Sequence, residues 1–276
     1  MNPTPVYQNS RAGQAGSILY LTHGGGPWPL LGEPRHKELI SFLGTVPQHL
    51  IAPKTIVVIS AHWEEQQVAV TGNKRPEMYF DYYGFPEESY AISYPAPGDP
   101  QLAEEICKLL HTRGLTATID KERGYDHGCF VPLMLMYPKA TIPCIQVSLL
   151  ADLNPENHLR LGEALGGLRR EGLLFVGSGS SFHNLRAFRE PPQGPTRKSN
   201  EAFDAWLATT LSDTHLSEEE RRQRLVHWDE APAARACHPR EEHLLPLHVC
   251  YGIAKAPATR CYSMEMMEKR VSAYLW

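Results

Sequence analysis

Thirteen histidines are spread through 276 residues, and five of them stand where an imidazole could act on a ligand. His23 follows the apolar run ILYLT directly and opens HGGGP; His62 follows TIVVIS in the segment ISAHWE; His183 closes LLFVGSGSSFHN. Each reads as a residue just past the C-terminal end of a β-strand, the place where open α/β sheets hold their ligands. His127 lies in YDHGCFVPL, a loop before an apolar helix, and His243 in ACHPREEHLLPLH, at the start of a helical pattern carrying Leu244, Leu247 and Tyr251. Imidazole is both a common neutral metal ligand and an acid–base group that works near neutral pH. A single histidine after a strand is usually a hydrogen-bonded or surface side chain, but three at three strand ends are hard to treat as independent. His23 and His62 are therefore expected to share a metal, with His243, beside Glu241 and Glu242, as a third candidate ligand.

An imidazole-rich set suits zinc, copper, iron or nickel, whereas magnesium and calcium prefer oxygen donors. No cysteine joins the cluster. Such a site with vacant positions matches either catalytic zinc, which keeps a water, or a non-haem Fe(II) centre, and spacing alone does not choose. Competing motifs are weaker. GSGSS at Gly177–Ser181 lacks a placeable triad acid, HGGG at His23–Gly26 has no GxSxG elbow to serve, and HGGGP lacks the lysine of a phosphate loop. His36, His49, His111, His158, His215 and His227 are read as surface residues, while His238 and His248 stay open between orienting a loop and packing.

The elements that must position these residues alternate in type. Candidate strands are Ser17–Thr22, Thr55–Ser60, Gln67–Thr71, Ile142–Ser148, Leu173–Ser178 and Arg260–Met264. Between them lie helices with clear punctuation: Asp99-Pro100 to Gly114, Asn154-Pro155 to Gly172, and Ser199 to Leu211. This grammar predicts one α/β domain over residues 1–276, with a central, mostly parallel sheet flanked by helices. Glycines 24, 25, 26, 177 and 179 are expected to let backbone approach a ligand. The REPPQGPTR stretch, Arg189–Arg197, reads as a surface loop and Ser212–Ala236 as a solvated helix and loop.

Composition narrows the setting. Lysine plus arginine total 27 against 31 acids, a net charge of −4, and the interspersed signs leave no basic stripe for nucleic acid. The N-terminal MNPTPVYQNSRAGQAG has no apolar signal core, and no run reaches the roughly 20 residues a bilayer helix needs. Six scattered cysteines without a CxxC pair fit reduced thiols. The expectation is a cytoplasmic protein with no membrane partner.

Six ordered motifs, LTHGGGP, VVISAHWE, DYYGFPEESYAISYPAPGDP, DHGCFVPLMLMYP, GSGSSFHNL and HPREEHLLPLH, together resemble the class III extradiol ring-cleaving dioxygenases. The resemblance is to their DOPA-dioxygenase branch, related to the catalytic subunit of protocatechuate dioxygenase, and runs from about Tyr20 to Ala254. It implies a metal site at the strand ends of an α/β domain, with His23 and His62 as metal ligands. It makes His183 the catalytic base, or in this branch a further ligand, and His127 a second histidine near oxygen and substrate. The wider class supplies a glutamate as third ligand, but the EEHLLPLH segment matches the branch with histidine there. His243 is the implied ligand and Glu242 its rival. That exchange leaves the metal charge higher by one, so Fe(II) for activity and Zn(II) as isolated both stay open.

The implied reaction inserts O2 into a catechol-type substrate, such as a DOPA-like dihydroxyphenyl compound, and opens the ring to a muconic semialdehyde. Tyr82, Tyr83 and Tyr125 are candidates to line the aromatic pocket. Two other classes fit parts of the pattern: a zinc-dependent hydrolase using His183 as base, and a non-enzymatic metal-binding regulatory relative of the same fold.

Overall fold

A computed structural model describes residues 16–191 and 194–276. The N-terminal segment read above as polar falls outside them up to residue 15, as do Pro192 and Gln193 of the Arg189–Arg197 stretch. In chain order the main elements are β1 (Ile18–Thr22), α1 (Lys37–Thr45), β2 (Thr55–Glu65), β3 (Val68–Thr71), α2 (Pro100–Thr112), β4 (Ala117–Asp120), α3 (His127–Met136) and β5 (Cys144–Leu150). The second half adds α4 (Pro155–Leu165), β6 (Leu173–Gly179), α5 (Thr196–Ser212), α6 (Glu218–Val226), α7 (Ala234–Cys237), α8 (Leu245–Ala254), β7 (Arg260–Met266) and β8 (Lys269–Leu275).

Among the described residues, these strands form one sheet in the order β4-β3-β5-β2-β6-β1-β8-β7. The central pairs β2–β5, β2–β6 and β1–β6 are parallel, as is β3–β4 near one edge, while β1–β8, β3–β5 and β7–β8 are antiparallel. Central strands covered on both faces must be apolar along their length. Ile18–Leu21, Ile56–Ile59 and Leu173–Val176 are accordingly buried throughout. Because β1, β2 and β6 run parallel, their C-terminal ends open on the same edge, which fixes where a site can form.

Two helices, α2 and α4, begin where the sequence places them. Asp99 caps α2 by accepting from the Leu102 amide at 3.1 Å, and Asn154 caps α4 by accepting from Asn157 at 3.2 Å. The second helix stops earlier than expected, at Leu165, with a 3-10 turn through Leu168 before Gly172. α5 begins at Thr196, inside the stretch expected to be loop.

Three expectations need correction. β2 does not end at Ser60: it continues to Glu65, so His62 lies within the strand rather than beyond it. Between Ile59 and Glu64 five steps along β2 are matched by only two along β5, and this bulge re-aims His62. His36 and His158 are fully buried, not superficial. His158 stands 2.8 Å from the Asn154 carbonyl through Nδ1 and accepts the Leu150 amide on Nε2 at 3.1 Å. The Ser212–Ala236 segment is only partly solvated. Arg221 is buried and its guanidinium donates to the Thr210, Asp213 and Leu216 carbonyls, satisfying the end of α5 and the turn beyond it. Arg222 grips Glu156 with two bonds of 2.6 Å, tying α6 to α4.

None of the six cysteines is in a disulfide, and five are buried. No helix among the described residues is long and apolar enough to cross a membrane.

Candidate metal centre and active site

Three side chains from three segments meet at the strand ends. His23 from the end of β1, His62 from the bulge of β2 and His243 from the turn before α8 each offer a ring nitrogen within 4.8 Å of the others. His23 Nε2 and His62 Nε2 are 3.1 Å apart. Two ligands about 2.1 Å from one ion and at right angles would lie about 3.0 Å from each other, so this spacing suits a shared first-row metal.

The other ring nitrogen of two of these histidines is hydrogen-bonded, and the partners set the tautomer. Ser178 Oγ donates to the Gly128 carbonyl, so toward His23 Nδ1, 3.0 Å away, it can only accept. His23 therefore carries its proton on Nδ1 and turns a lone pair inward from Nε2. His243 Nδ1 lies 2.9 Å from Glu242 Oε1, an ionised acceptor, so this ring also presents its Nε2 lone pair to the centre. His62 turns Nε2 toward His23 Nε2, while its Nδ1 stands at an ion-pair distance of 3.4 Å from Asp81 Oδ2. Burial, reinforced by the neighbouring imidazoles, holds His23, His62 and His243 well below the usual imidazole pKa. Asp81 opposes this at His62 without reversing it. Neutral imidazole is the form that binds metal, and an all-nitrogen donor set fits a first-row ion such as iron or zinc without choosing between them.

His243 sits in a turn two residues ahead of α8, not on a helix start. Its neighbour Glu242 consequently does not point away as successive helical residues do; its carboxylate lies against the His243 ring.

Two further histidines flank the cluster. His183, four residues beyond β6, stacks on His243 with ring centres 3.4 Å apart and Nδ1 3.2 Å from Glu242 Oε1. His127 is the first residue of α3, not part of the preceding loop. Its amide and Nδ1 both bond to Asp81, at 2.9 and 2.8 Å, and its ring centre is 3.8 Å from that of His62. The placement depends on Asp126, which caps α3 and accepts from Ser60, Gln146 and Arg123. Burial, with Asp81 nearby, raises the pKa of Asp126 despite these donors.

The remaining sequence candidates divide. Tyr82 is mostly buried with its ring 5.8 Å from His127, beside the site. Tyr125 is wholly buried and its hydroxyl donates to the Cys144 carbonyl at 2.7 Å, which makes it a core residue. Tyr83 is 91% exposed and faces solvent. The aromatic wall is built instead with Phe85, which crosses Trp28 at 5.3 Å and lies against Gly26. Gly26 has φ +57°, and a Cβ there would come within 2.8 Å of Phe85. Gly179 serves protein backbone rather than ligand: a Cβ would fall 2.1 Å from the His243 carbonyl.

Asp81 and Ser178 are the important residues that sequence reasoning passed over. Asp81 opens the quoted DYYGFP motif, but an acid in a loop carries no sign that it will meet two histidines. His36 also contributes, its Nε2 accepting the Gly25 amide at 3.2 Å and so bracing the HGGG turn.

Residues 19–274 match the family described as the catalytic LigB subunit of aromatic ring-opening dioxygenase. The chain is 38% identical to the dioxygenase tasH of Hapsidospora irregularis over 94% of this chain and 85% of that protein. It is 38% identical to a 4,5-DOPA dioxygenase extradiol of Beta vulgaris over 86% of each, and 34% identical to that of Escherichia coli K12 over 85% and 83%. A crystal structure of an uncharacterized protein from Escherichia coli K12 superposes with a TM-score of 0.73 at 28% identity, covering 94% of this chain and 99% of that one. With the LigB match spanning nearly all the described residues and relatives this similar over most of their lengths, the chain belongs to the class III extradiol ring-cleaving dioxygenase family.

Proposed function

We propose that this protein cleaves the ring of a catechol-type substrate with O2 at one metal ion held by His23, His62 and His243. The observation that carries this reading is the pairing of three inward Nε2 lone pairs with two further histidines, His183 and His127, that have no place in a purely structural metal site. Bound there, Fe(II) would supply the redox chemistry that lets triplet O2 react with a singlet catechol; Zn(II) fits the same donors without that capacity.

The protein's own groups divide the remaining work. Glu242 Oε1, 3.2 Å from His183 Nδ1, favours the ring proton on that nitrogen, which leaves His183 Nε2 as the base for a substrate hydroxyl. His127 donates a hydrogen bond from Nδ1–H to Asp81, so it can donate from Nε2 only as imidazolium, with Asp81 as its counter-charge. Tyr82, Phe85 and Trp28, meeting edge to face beside His127, would offer apolar contacts to an aromatic ring.

Anaerobic reconstitution with Fe(II), then oxygen-uptake measurements across a catechol panel, tests the reading. The expected result is O2 consumption with a yellow semialdehyde or its cyclised product, and none with Zn(II). Equal inertness of both forms alongside hydrolysis of an ester or amide would replace this reading with a zinc hydrolase. Inertness to every substrate would point to a binding protein of the same fold.

A further inference from the structure

Two carboxylates each stand between one inner and one outer histidine. Glu242 Oε1 lies 2.9 Å from His243 Nδ1 and 3.2 Å from His183 Nδ1. Asp81 Oδ2 lies 2.8 Å from His127 Nδ1 and 3.4 Å from His62 Nδ1. In both cases a single oxygen faces both rings, hydrogen-bonded to one (His243, His127) and at ion-pair distance from the other (His183, His62), and one ring of each pair belongs to the metal cluster. The two carboxylate side chains are about nine-tenths buried, at 11% and 10% exposure, so their charge acts through little water.

We propose that Glu242 and Asp81 are paired positioning residues, each fixing at once the tautomer of one metal-binding histidine and of one acid–base histidine. The proposal rests on the metal and acid–base reading above, and adds how the two sets are coupled.

A divalent ion on three neutral imidazoles keeps a full +2 charge, whereas a ligating glutamate would cancel half of it. Here two anions stand beside the rings of His243 and His62, where they would offset the charge of a bound ion while leaving all three ligand positions to nitrogen. Sharing each oxygen also makes the state of an outer histidine felt by an inner one. Arg240 supports the arrangement: its guanidinium is doubly bonded to Glu64 at 2.6 Å and 3.5 Å from Glu242 Oε2. This connects the end of β2 to the turn that carries His243.

The two bridges are not equal. Glu242 is closer to the inner His243, and Asp81 is closer to the outer His127. Loss of the Glu242 charge should therefore fall more on metal affinity, and loss of the Asp81 charge more on the acid–base histidine.

The test uses full-length protein with 15N-labelled histidine, read by long-range 1H–15N correlation, together with Zn2+ affinity from competition with a chelator. Neither readout requires turnover, so inactivity toward catechols would refute the dioxygenase reading without touching this one. Glu242→Gln is expected to weaken Zn2+ binding about 10- to 100-fold and to convert His183 from the Nδ1–H form to a tautomer mixture. Asp81→Asn should do the same to His127 with a smaller loss of Zn2+. The signals of His248, bonded to the Leu225 and Leu244 carbonyls, should stay in place and report an intact fold. If Glu242→Gln weakens Zn2+ while the His183 signal is unmoved, the carboxylate serves the metal alone and the coupling is wrong. A moved His183 signal with unchanged Zn2+ affinity, or no change in either, overturns the proposal equally.

Discussion

The imidazole of His183 lies flat against that of His243, with ring centres 3.4 Å apart and planes 15° from parallel. His183 stands outside the group formed by His23, His62 and His243 but forms another with Glu242 and His243. On the proposed reading, the stack sets a base beside a ligand. His183→Ala should lower turnover about 100- to 10,000-fold, the usual scale for a positioned acid–base group. Metal content, measured by elemental analysis after reconstitution, should survive. Metal loss as complete as in His23→Ala would make His183 a fourth ligand and move the base role to His127.

His243, the proposed third ligand, can be separated from its carboxylate neighbour by the same measurement. His243→Ala removes an inward lone pair and should abolish stoichiometric metal binding. Glu242→Gln removes only the anion behind it and should leave a weaker site, in line with the usual 10- to 100-fold effect of an outer-shell partner. The reverse order in a metal titration would restore a two-histidine, one-glutamate centre.

The buried histidines also predict a pH profile. Burial is the leading cause that lowers the pKa values of His23, His62, His243, His36 and His158. Burial likewise brings His238 down to about 3 and His248 to about 4. In the unfolded chain each would bind a proton near pH 6.5. Below that pH the unfolded state holds more protons than the folded one. The stabilisation is thus complete above about pH 6.5 and is lost as pH falls toward the depressed folded values, by up to about 1.4 kcal/mol per pH unit for each histidine. Urea unfolding of metal-free protein should show its midpoint dropping steadily from about pH 6.5 downward. A flat midpoint across that range would mean these rings already titrate freely in the folded protein.

The strand ends that carry His23 and His183 were legible because apolar β-branched runs stop abruptly at glycine-rich turns. The caps of α2 and α4 were equally plain, since Asp99-Pro100 and Asn154-Pro155 are local signals. β8 was not legible. It follows a hairpin turn made by Met267 and Glu268 with φ values of +49° and +63°, where asparagine and glycine would normally announce the reversal. β4 has four residues on the sheet edge, with only Ala117 buried, so it shows little hydrophobic pattern. At the site, His23 and His183 could be found by their positions after strands, and His62 by its place just after the apolar TIVVIS run although β2 continues past it, but Asp81 and Ser178 act only through contacts made in the folded chain. Ser178 reaches His23 from 155 positions away.

That contact gives the last prediction. Ser178 Oγ is the one group that both orients His23 and holds the first turn of α3, donating to the Gly128 carbonyl while facing His23 Nδ1. Ser178→Ala keeps the buried strand apolar and close-packed, so the change is confined to these two bonds. It leaves the His23 Nδ1 proton unpaired, and the ring can then move that proton to Nε2 and turn a donor toward the metal position. Metal affinity should fall about 10- to 100-fold, and stability without metal by about 1 to 3 kcal/mol for the unsatisfied buried groups. Ser178→Thr retains the hydroxyl and should recover most of the affinity if the added methyl is accommodated; Ser178→Cys, a weak donor and acceptor, should fall between the two. Zn2+ competition should rank Ser178→Thr above Ser178→Ala if Ser178 fixes the His23 tautomer. Since alanine nearly matches serine in volume, wild-type affinity in Ser178→Ala would show that Ser178 only fills space.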